Sequence, residues 1–305
     1  MKLAAFAVTL LAFTLPGVAQ DKFDLRPIWK VGQTARYKLT QAELTRATLA
    51  GLPGAEPQES LTEISGEVTW KVTDVSDAGG GTATMTIDTL SMKVTGPDGN
   101  VVEVTPTKAP ESGKSLQDWL KSMIGSPLSV EVTGESQIGV VKGWKAIQQK
   151  AGDAGSKLNE DYFREIAMDL AVLIGGKEGA TLGSKWHYKY TGDHRLGKID
   201  YDITYEVAGT ETIASIPIVL INRNAKMKFE PDLTDLPKDA PPMKFKTLEA
   251  SQTGQIMYDT TRHEIVGINI DQVLDIEVGM QIADHKITRG NRETTNTQIM
   301  RISEK

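Results

Sequence analysis

The chain has 305 residues, a formal net charge of −6 and no cysteine. The absence of cysteine excludes disulfides, thiolate metal sites and a thiol nucleophile, so stability has to come from burial of apolar side chains. The mild acidity argues against nucleic acid as a partner, because phosphates require a basic surface. A hydrophobic fraction of 39% and a charged fraction of 24% are typical of a globular protein.

Residues 1–19 have the features of a secretory signal peptide. Lys2 is followed by an uncharged apolar run that ends at Leu15, and small residues precede a cleavage position after Ala19. The run is too short to span a bilayer stably, and no cysteine follows it for lipid attachment. We therefore expect an exported bacterial protein, periplasmic or secreted, that is not a lipoprotein and has no stable membrane span.

The first half, residues 20–152, is predicted to be rich in β-strands. Ala35, Tyr37 and Leu39 alternate with polar residues, which is the period of a half-buried strand. Similar patterns predict strands at 63–74, 82–95, 101–104, 128–132 and 138–141.

Two helices interrupt this half. Apolar residues at helical spacing predict a helix over 115–124, with Ser115 and Asp118 at capping-box positions. One or two further helical turns are predicted over 144–151.

A longer amphipathic helix is predicted over 157–174, where the two halves meet. Its apolar stripe is formed by Leu158, Tyr162, Ile166, Leu170 and Leu173. Two glycines at 175 and 176 end the pattern.

The second half, residues 153–305, returns to strand patterns after this helix. Strands are predicted at 183–191, 201–207, 213–229, 253–258, 264–278 and 294–302. A proline-rich segment from 231 to 242 is predicted to be irregular.

The strand sequences indicate an internal duplication. Residues 32–40 match 183–191 at Gly, Tyr, Lys and Thr, and residues 68–72 resemble 203–207. Met92-Lys93-Val94 likewise resembles Met227-Lys228-Phe229. Order and inward parity are kept, although amphipathic strands also resemble one another by chance.

These patterns predict a mainly β (α+β) fold. We expect two related curved antiparallel sheets or half-barrels, with the helices at 157–174 and 115–124 covering their apolar face. The expected organisation is a signal peptide at 1–19, a first half at 20–152 and a second half at 153–305. Whether the halves share one sheet is left open.

Short motifs resemble a family of uncharacterised secreted bacterial proteins with a domain of unknown function. They are Gly32 with Tyr37 in the first strand, Gly183 with Trp186 in the second opening, and Gly254–Asp259 in a late strand. The layout is also similar in outline to periplasmic carriers of lipidated proteins, which hold an acyl chain between a half-barrel sheet and its covering helices. The family resemblance implies no activity and no binding residue.

No catalytic, cofactor-binding or metal-binding residue is predicted. None of His187, His194, His263 and His285 has a second histidine at helical zinc-site spacing. A solvent-facing role is favoured for His187, although a site assembled from distant histidines and carboxylates remains an alternative. The pairs Asp200/Asp202 and Asp271/Asp275 are interpreted as solvated strand positions rather than a glycosidase dyad.

The five tryptophans are interpreted mainly as core residues. A sheet covered only by helices nevertheless leaves an apolar crevice, and such crevices bind small ligands.

The leading functional hypothesis is a non-enzymatic exported protein. It would bind an apolar small molecule or lipid, or an unknown protein partner, in the groove between sheet and helices, without any cofactor. One alternative is an exported hydrolase with a dispersed site, which would need His187 or His263 beside two carboxylates. Another is an outer-membrane β-barrel, which fits the long strands better than the helices.

Overall fold

The computed structural model describes residues 22–51, 55–77, 79–134, 137–155, 158–171, 179–194, 196–232, 243–282 and 285–302. The signal peptide prediction and most of the proline-rich segment lie outside these ranges. The first-half strands are β1 Thr34–Ala50, β2 Gln58–Val75, β3 Gly81–Thr95, β4 Val101–Val104, β5 Pro127–Val132 and β6 Ile138–Lys142. The second-half strands are β7 Lys185–His194, β8 Gly197–Ile213, β9 Ile216–Pro231, β10 Met243–Asp259, β11 Glu264–Ile282 and β12 His285–Ile302. The helices are α1 Lys114–Met123, α2 Trp144–Ala151 and α3 Glu160–Ala171.

All twelve of these strands form one antiparallel sheet, so the predicted mainly β antiparallel fold is confirmed. The strand order is β6-β5-β3-β2-β1-β12-β11-β10-β9-β8-β7, and β4 pairs beside β3. The sequence left open whether the two related halves share a sheet, and the structure shows one sheet rather than two, because β1 pairs with β2 on one edge and with β12 on the other. The first strand therefore lies inside the sheet and joins the halves 20–152 and 153–305, whose treatment as separate units stays a prediction.

Most strands are longer than their apolar alternation indicates. Along β1, the side chains of Ala35 and Tyr37 are buried, whereas most of those from Glu43 onward are at least partly exposed. β10 begins at Met243, ten residues before its predicted start, and its first half is also largely exposed. The ladder of backbone hydrogen bonds continues where the inward side chains are polar, so the strand outlasts its hydrophobic pattern.

The boundary between β8 and β9 also differs from the prediction. Ile213 ends β8 rather than starting β9, and it pairs with Ile216 across a tight turn. Ala214 and Ser215 form the turn with φ angles of 48° and 68°. Positive φ at both central residues is the two-residue hairpin geometry usually supplied by Asn-Gly, so the sequence carries no turn signal here.

The openings of β1 and β7 share their backbone geometry. The amide of Gly32 donates to the carbonyl of Val72, and that of Gly183 donates to Val207 in the same way. Thr34 pairs with Lys71 on β2, as Lys185 pairs with Glu206 on β8. These equivalences have the offsets of 151 and 135 residues found in the sequence.

The third repeat match is shifted relative to the sequence comparison. Ile64 pairs with Met92, and its counterpart Ile199 pairs with Phe229. In the pairing register Met92 therefore corresponds to Phe229 rather than to Met227. The duplication itself stays a prediction.

The helices differ from the predicted ones mainly at their ends. The structure places α1 at Lys114–Met123, but no side chain caps its first turn, so the expected Ser115 and Asp118 capping box is absent. A 3₁₀ turn at Glu111–Gly113 leads directly into the helix instead. Helix α3 spans 12 residues, and 157 and 172–174 of the predicted helix lie outside the described residues.

The sheet is strongly curved, yet within the described ranges it does not close into a barrel. Its terminal strands β6 and β7 are not paired with each other, so the closed sheet required by the outer-membrane alternative is not observed. The curvature brings β7 across the inner face, where Nε2 of His194 lies 3.2 Å from Oε2 of Glu293 on β12. Among the described residues, no helix has the length and apolar character needed to span a membrane.

Candidate functional site

A cavity of about 360 Å³ lies between the sheet and helices α1 and α3, and we call it the apolar cavity. Its floor is formed by β1, β2, β3 and β12, and its roof by the two helices. The lining residues are Tyr37, Leu39, Gln41, Ile64, Gly66, Val68, Ile87, Thr89, Leu90, Trp119, Met123, Tyr162, Glu165, Ile166, Leu170, Thr297 and Ile299. The helix-covered crevice that the sequence indicates is thus present at the place expected for it.

The apolar side chains of α3 are not equally buried. Tyr162 and Ile166 are only half-buried and face the apolar cavity, whereas Phe163 and Ala167 are fully buried. The sequence reading put the inward stripe on Tyr162 and Ile166 and missed Phe163. The most buried positions therefore lie one residue further along the helix, about 100° around its axis from Tyr162 and Ile166.

Charged groups are sparse in the apolar cavity, where Glu165 is the one charged side chain among the described lining residues. Its Oε1 accepts a hydrogen bond of 3.0 Å from the backbone amide of Asp193 on β7. Burial, and secondarily the charge of Glu165, raise the pKa of Tyr162 to about 12. Burial and the charge of Glu264 also raise the pKa of Tyr37, so both phenols stay neutral at ordinary pH.

Helix α3 is attached to both terminal strands of the sheet through side-chain to backbone hydrogen bonds. On β6, the Val141 amide donates to Oε1 of Glu160 at 3.2 Å, and Nε of Arg164 donates to the Gly139 carbonyl at 3.3 Å. On β7, Glu165 accepts the Asp193 amide. These bonds satisfy edge groups that lack a strand partner, and they keep α3 over the apolar cavity.

The first turn of α3 is fixed by Asn159. Its Oδ1 accepts the amide of Tyr162 at 2.8 Å, the typical N-cap interaction, and its Nδ2 donates to Asp193 at 2.9 Å. The same residue therefore starts the helix and connects it to β7.

A second, smaller cavity of about 40 Å³ shares Tyr37 and Leu170 with the apolar cavity, and we call it the aromatic cavity. It lies beneath the segment that precedes β1 and beside the turn between β10 and β11. Its other walls are Pro27, Trp29, Gln33, Ala35, Trp70, Val72, Tyr258, His263, Glu264 and Ile265.

Buried charges surround the turn beside this cavity. Asp259 is completely buried, and its Oδ1 accepts the amides of Thr261 and Arg262 at 2.7 and 2.9 Å. Glu264 is 8% exposed and lies 3.0 Å from Nε of Arg301. Burial is the largest effect on Glu264 and raises its pKa, against the opposite influence of Arg301 and Arg262.

The histidines occupy different environments. His187 is largely exposed and accepts or donates a 3.2 Å hydrogen bond with Thr204. His194 is buried against Glu293, and His263 lies in the wall of the aromatic cavity. The side chain of His285 is outside the described part of the structure.

Other groups considered from the sequence form local pairs on the sheet. Asp200 accepts a hydrogen bond from Thr191, and Asp202 pairs with Lys189 at 2.9 Å. Asp271 and Asp275 bind Asn296 and Arg292, respectively. Across the described ranges, no group of three or more metal-ligating side chains has an arrangement suited to a metal ion.

The tryptophans divide between the cavities and the packed sheet. Trp119 lines the apolar cavity, and Trp29 and Trp70 line the aromatic one. Trp186 stacks on Tyr205 at 5.6 Å, and Trp144 is half-buried beside Lys145. Sequence alternation located Trp70 on the inner face, but it could not distinguish packed positions from cavity walls.

Comparison with known proteins identifies no family for this chain. No family model matches it, and no curated protein does. A structure of lipovitellin, described as showing lipid–protein interactions, has 13% identity and a TM-score of 0.46 over 90% of this chain. The match spans 25% of the lipovitellin chain. The Pseudomonas aeruginosa protein OpdQ has 7% identity and a TM-score of 0.20, with 90% of this chain and 100% of OpdQ covered. Both TM-scores are under 0.5, so neither similarity indicates the fold or the function of this protein.

Proposed function

We propose that this protein is an exported, non-enzymatic binding protein that holds an apolar ligand of the acyl-chain type in the apolar cavity. The observation that carries the proposal is the composition of the cavity wall, in which Glu165 is the one charged side chain among the described residues. The volume of about 360 Å³ lies within the range of roughly 300–1,000 Å³ typical of small-molecule sites.

The physical gain from such a ligand is substantial. Each methylene moved from water into an apolar site is worth about 0.8 kcal/mol, so a tail of about eight methylenes gains roughly 6 kcal/mol before the cost of association. Trp119 and Met123 on α1 and Ile166 on α3 supply large or flexible contacts for an unbranched tail.

A fluorescent fatty-acyl probe tests this proposal in the purified full chain. We expect saturable binding that Leu39→Trp abolishes, because the larger side chain occupies the floor of the apolar cavity. Leu44→Trp is the matched control, since Leu44 is on the same strand but is 42% exposed. Equal binding by both variants, with unchanged circular dichroism, would contradict the proposal.

A hydrolase is the second candidate, and one observation favours it. His263 and Glu264 line the same cavity, and the buried Asp259 occupies the same turn. A hydrolase of this type would lose at least about 100-fold in activity on His263→Gln, the usual contribution of a general base. A panel of ester and glycoside substrates that shows no turnover above a heat-treated control would remove this candidate.

Export is also part of the proposal and rests on residues 1–19. Fractionation of the producing cell, with N-terminal sequencing of the mature chain, tests it. A chain that begins at Gln20 outside the cytoplasm supports export, and a cytoplasmic chain that retains Met1 contradicts it.

We also infer that β1–β3 and β7–β9 derive from one duplicated meander. The inference is supported by the matching hydrogen bonds of Gly32 and Gly183 and by the common bulge position after Val72 and Val207. Natural sequences that contain a single copy of the meander would support it. Homologous chains in which the two strand openings have unrelated sequences and different strand-pairing registers would count against it.

A further inference from the structure

The aromatic cavity combines aromatic faces with a carboxylate. The rings of Trp29 and Trp70 meet edge to face, with centroids 6.0 Å apart and planes at 83°. Tyr258 and His263 form another edge-to-face pair at 6.5 Å and 74°. Among the described residues of this wall, Glu264 is the one carboxylate and His263 the one imidazole, and none is Lys or Arg. Aromatic faces and a nearby carboxylate are the groups that attract an ammonium ion.

Two buried polar atoms in this wall have no aligned hydrogen-bond partner among the described residues. They are Oε1 of Glu264 and Nδ1 of His263. Glu264 is more than nine-tenths buried and forms an ion pair with Arg301, whose Nε lies 3.0 Å from its Oε1 without a well-aligned N–H. Buried polar atoms of this kind normally have a hydrogen-bond partner, because an unsatisfied polar group costs free energy.

Most of the neighbouring charged side chains lie close to groups of opposite charge. Arg26 forms a 2.9 Å ion pair with Asp24, and its carbonyl accepts the hydroxyl of Tyr258 at 2.9 Å. Arg262 lies 3.9 Å from both Asp259 and Glu264. Arg301 lies closer to Glu264, with its Nε 3.0 Å from Oε1. None of these three guanidinium groups lines the described wall of the aromatic cavity, which presents the carboxylate, the imidazole and the rings.

The backbone of His263 indicates that its position is specified. Its φ angle is 55°, in the left-handed region that few residues other than Gly, Asn, Asp and His adopt. A non-glycine residue in this region persists where the surroundings favour its side chain, and such residues are concentrated at functional sites. Here the left-handed turn places the imidazole in the cavity wall.

We propose that the aromatic cavity binds a primary ammonium group. The volume of about 40 Å³ accommodates a water-sized group such as –NH₃⁺. The ammonium donates hydrogen bonds to Glu264 and His263 while Trp29, Trp70 and Tyr37 surround its positive charge.

This inference deepens the proposed function and rests on it only for the apolar tail. Tyr37 and Leu170 line both cavities, so the two cavities adjoin. A lipid-linked amine would pass between these side chains to use both sites, whereas a small free amine would use only the aromatic one. The ligand class is therefore an amine, either lipid-linked or free.

Calorimetric titration of the full chain with three probes below their aggregation concentrations separates these sources. The probes are butylammonium, dodecylammonium and 1-dodecanol. If both proposals hold, dodecylammonium binds about tenfold more tightly than dodecanol, in line with a charge-assisted and cation–π contribution. Butylammonium binding without dodecanol binding would support the ammonium site while contradicting the acyl-chain proposal. Equal affinities for dodecanol and dodecylammonium would overturn the ammonium site alone.

Two variants locate the ammonium site. Glu264→Gln keeps the side-chain size and removes the charge, and Trp29→Leu removes an aromatic wall from a segment outside the sheet. Each should reduce the preference for dodecylammonium over dodecanol to about twofold or less. The matched controls Glu103→Gln and Trp144→Leu should keep the full preference. If Glu264→Gln does not fold, Trp29→Leu decides, and an undiminished preference in that variant overturns the proposal.

Discussion

Asp259 and Asp98 occupy similar turns but differ in burial. Asp259 is fully buried and accepts two amides, whereas Asp98 lies in an exposed turn where its Oδ1 accepts the Asn100 amide at 3.0 Å. Asp259→Ala removes two hydrogen bonds to a fully buried carboxylate, so we expect it to lower the free energy of unfolding by about 2–4 kcal/mol. Asp98→Ala should cost under about 1 kcal/mol, because water replaces the lost acceptor. Urea unfolding of both variants measures the difference in the free energy of unfolding. Equal losses would contradict the claim that the hydrogen bonds of the buried Asp259 contribute more to stability than that of the exposed Asp98.

The raised pKa of Glu264 is expected to make the stability of the native chain, relative to Glu264→Gln, depend on pH. Its folded pKa is raised above the ordinary value of 4.5, mainly by burial. The neutral form is therefore favoured in the folded state, so the stabilisation is complete below the unfolded pKa and is lost as pH rises through the folded pKa. Relative to the native chain, Glu264→Gln should become progressively more stable as pH increases from below 4.5 through that range.

Chemical unfolding of the two proteins at several pH values measures this change. Glu103→Gln, at an exposed position, provides the control. If the stability difference between Glu264→Gln and the native chain stays constant or changes in the opposite direction, burial does not raise the pKa of Glu264.

At the residue scale, the sequence was most informative about inward strand positions. Alternation correctly indicated that Tyr37, Val68 and Trp70 are inward, because one face of each strand is apolar. It could not bring His263 and Glu264 beside Trp29, because their contact depends on a turn and on the segment before β1. A histidine with positive φ has no distinctive sequence pattern.

At the scale of elements, α3 connects the two terminal strands of the sheet. Glu160 accepts the amide of Val141 on β6, and Glu165 accepts that of Asp193 on β7. Each carboxylate is therefore expected to slow the hydrogen exchange of its own amide. Glu165→Ala should accelerate exchange at Asp193 by about tenfold, corresponding to the loss of a hydrogen bond worth about 1.5 kcal/mol, and should leave Val141 unchanged.

Glu160→Ala should have the reciprocal effect, so each variant serves as the control for the other. Residue-resolved hydrogen exchange by NMR measures both amides. Acceleration of the two amides together in either variant would mean that α3 leaves the sheet as a unit, and it would contradict separate attachment of the two edges.

The elements themselves were predictable where the pattern of apolar residues was uninterrupted. Helix α1 and the hairpin of β5 and β6 have strong local signals, and the structure places them within a few residues of the predicted positions. Strand β10 was predicted too short. Met243 and Phe245 alternate with lysines, but this alternation is lost over the exposed residues 247–249. Its hydrogen-bond partners on β11 are distant in sequence, so local pattern could not define its start.

At the scale of the whole molecule, the pairing of β1 with β12 determines the architecture. It joins the two halves into a single sheet, and the curvature of that sheet brings α3 between β6 and β7. The pairing register runs from Arg36 with Ile302 to Ala50 with Thr288. Nothing in either strand alone specifies this partner, which explains why the sequence left open whether the halves share a sheet.

The apolar cavity follows from this arrangement, since curved strands form its floor and the helix that connects the two edges forms part of its roof. The sequence indicated a groove under an amphipathic helix. It gave no information about the volume, or about the aromatic cavity that adjoins it at Tyr37 and Leu170.

Native mass spectrometry of the chain purified from its producing cell tests the ligand-binding account most directly. The account predicts a stoichiometric apolar molecule on the native chain and on Leu44→Trp, and its loss from Leu39→Trp. A native chain with the mass of the polypeptide alone, together with no uptake of an added acyl probe, would contradict it.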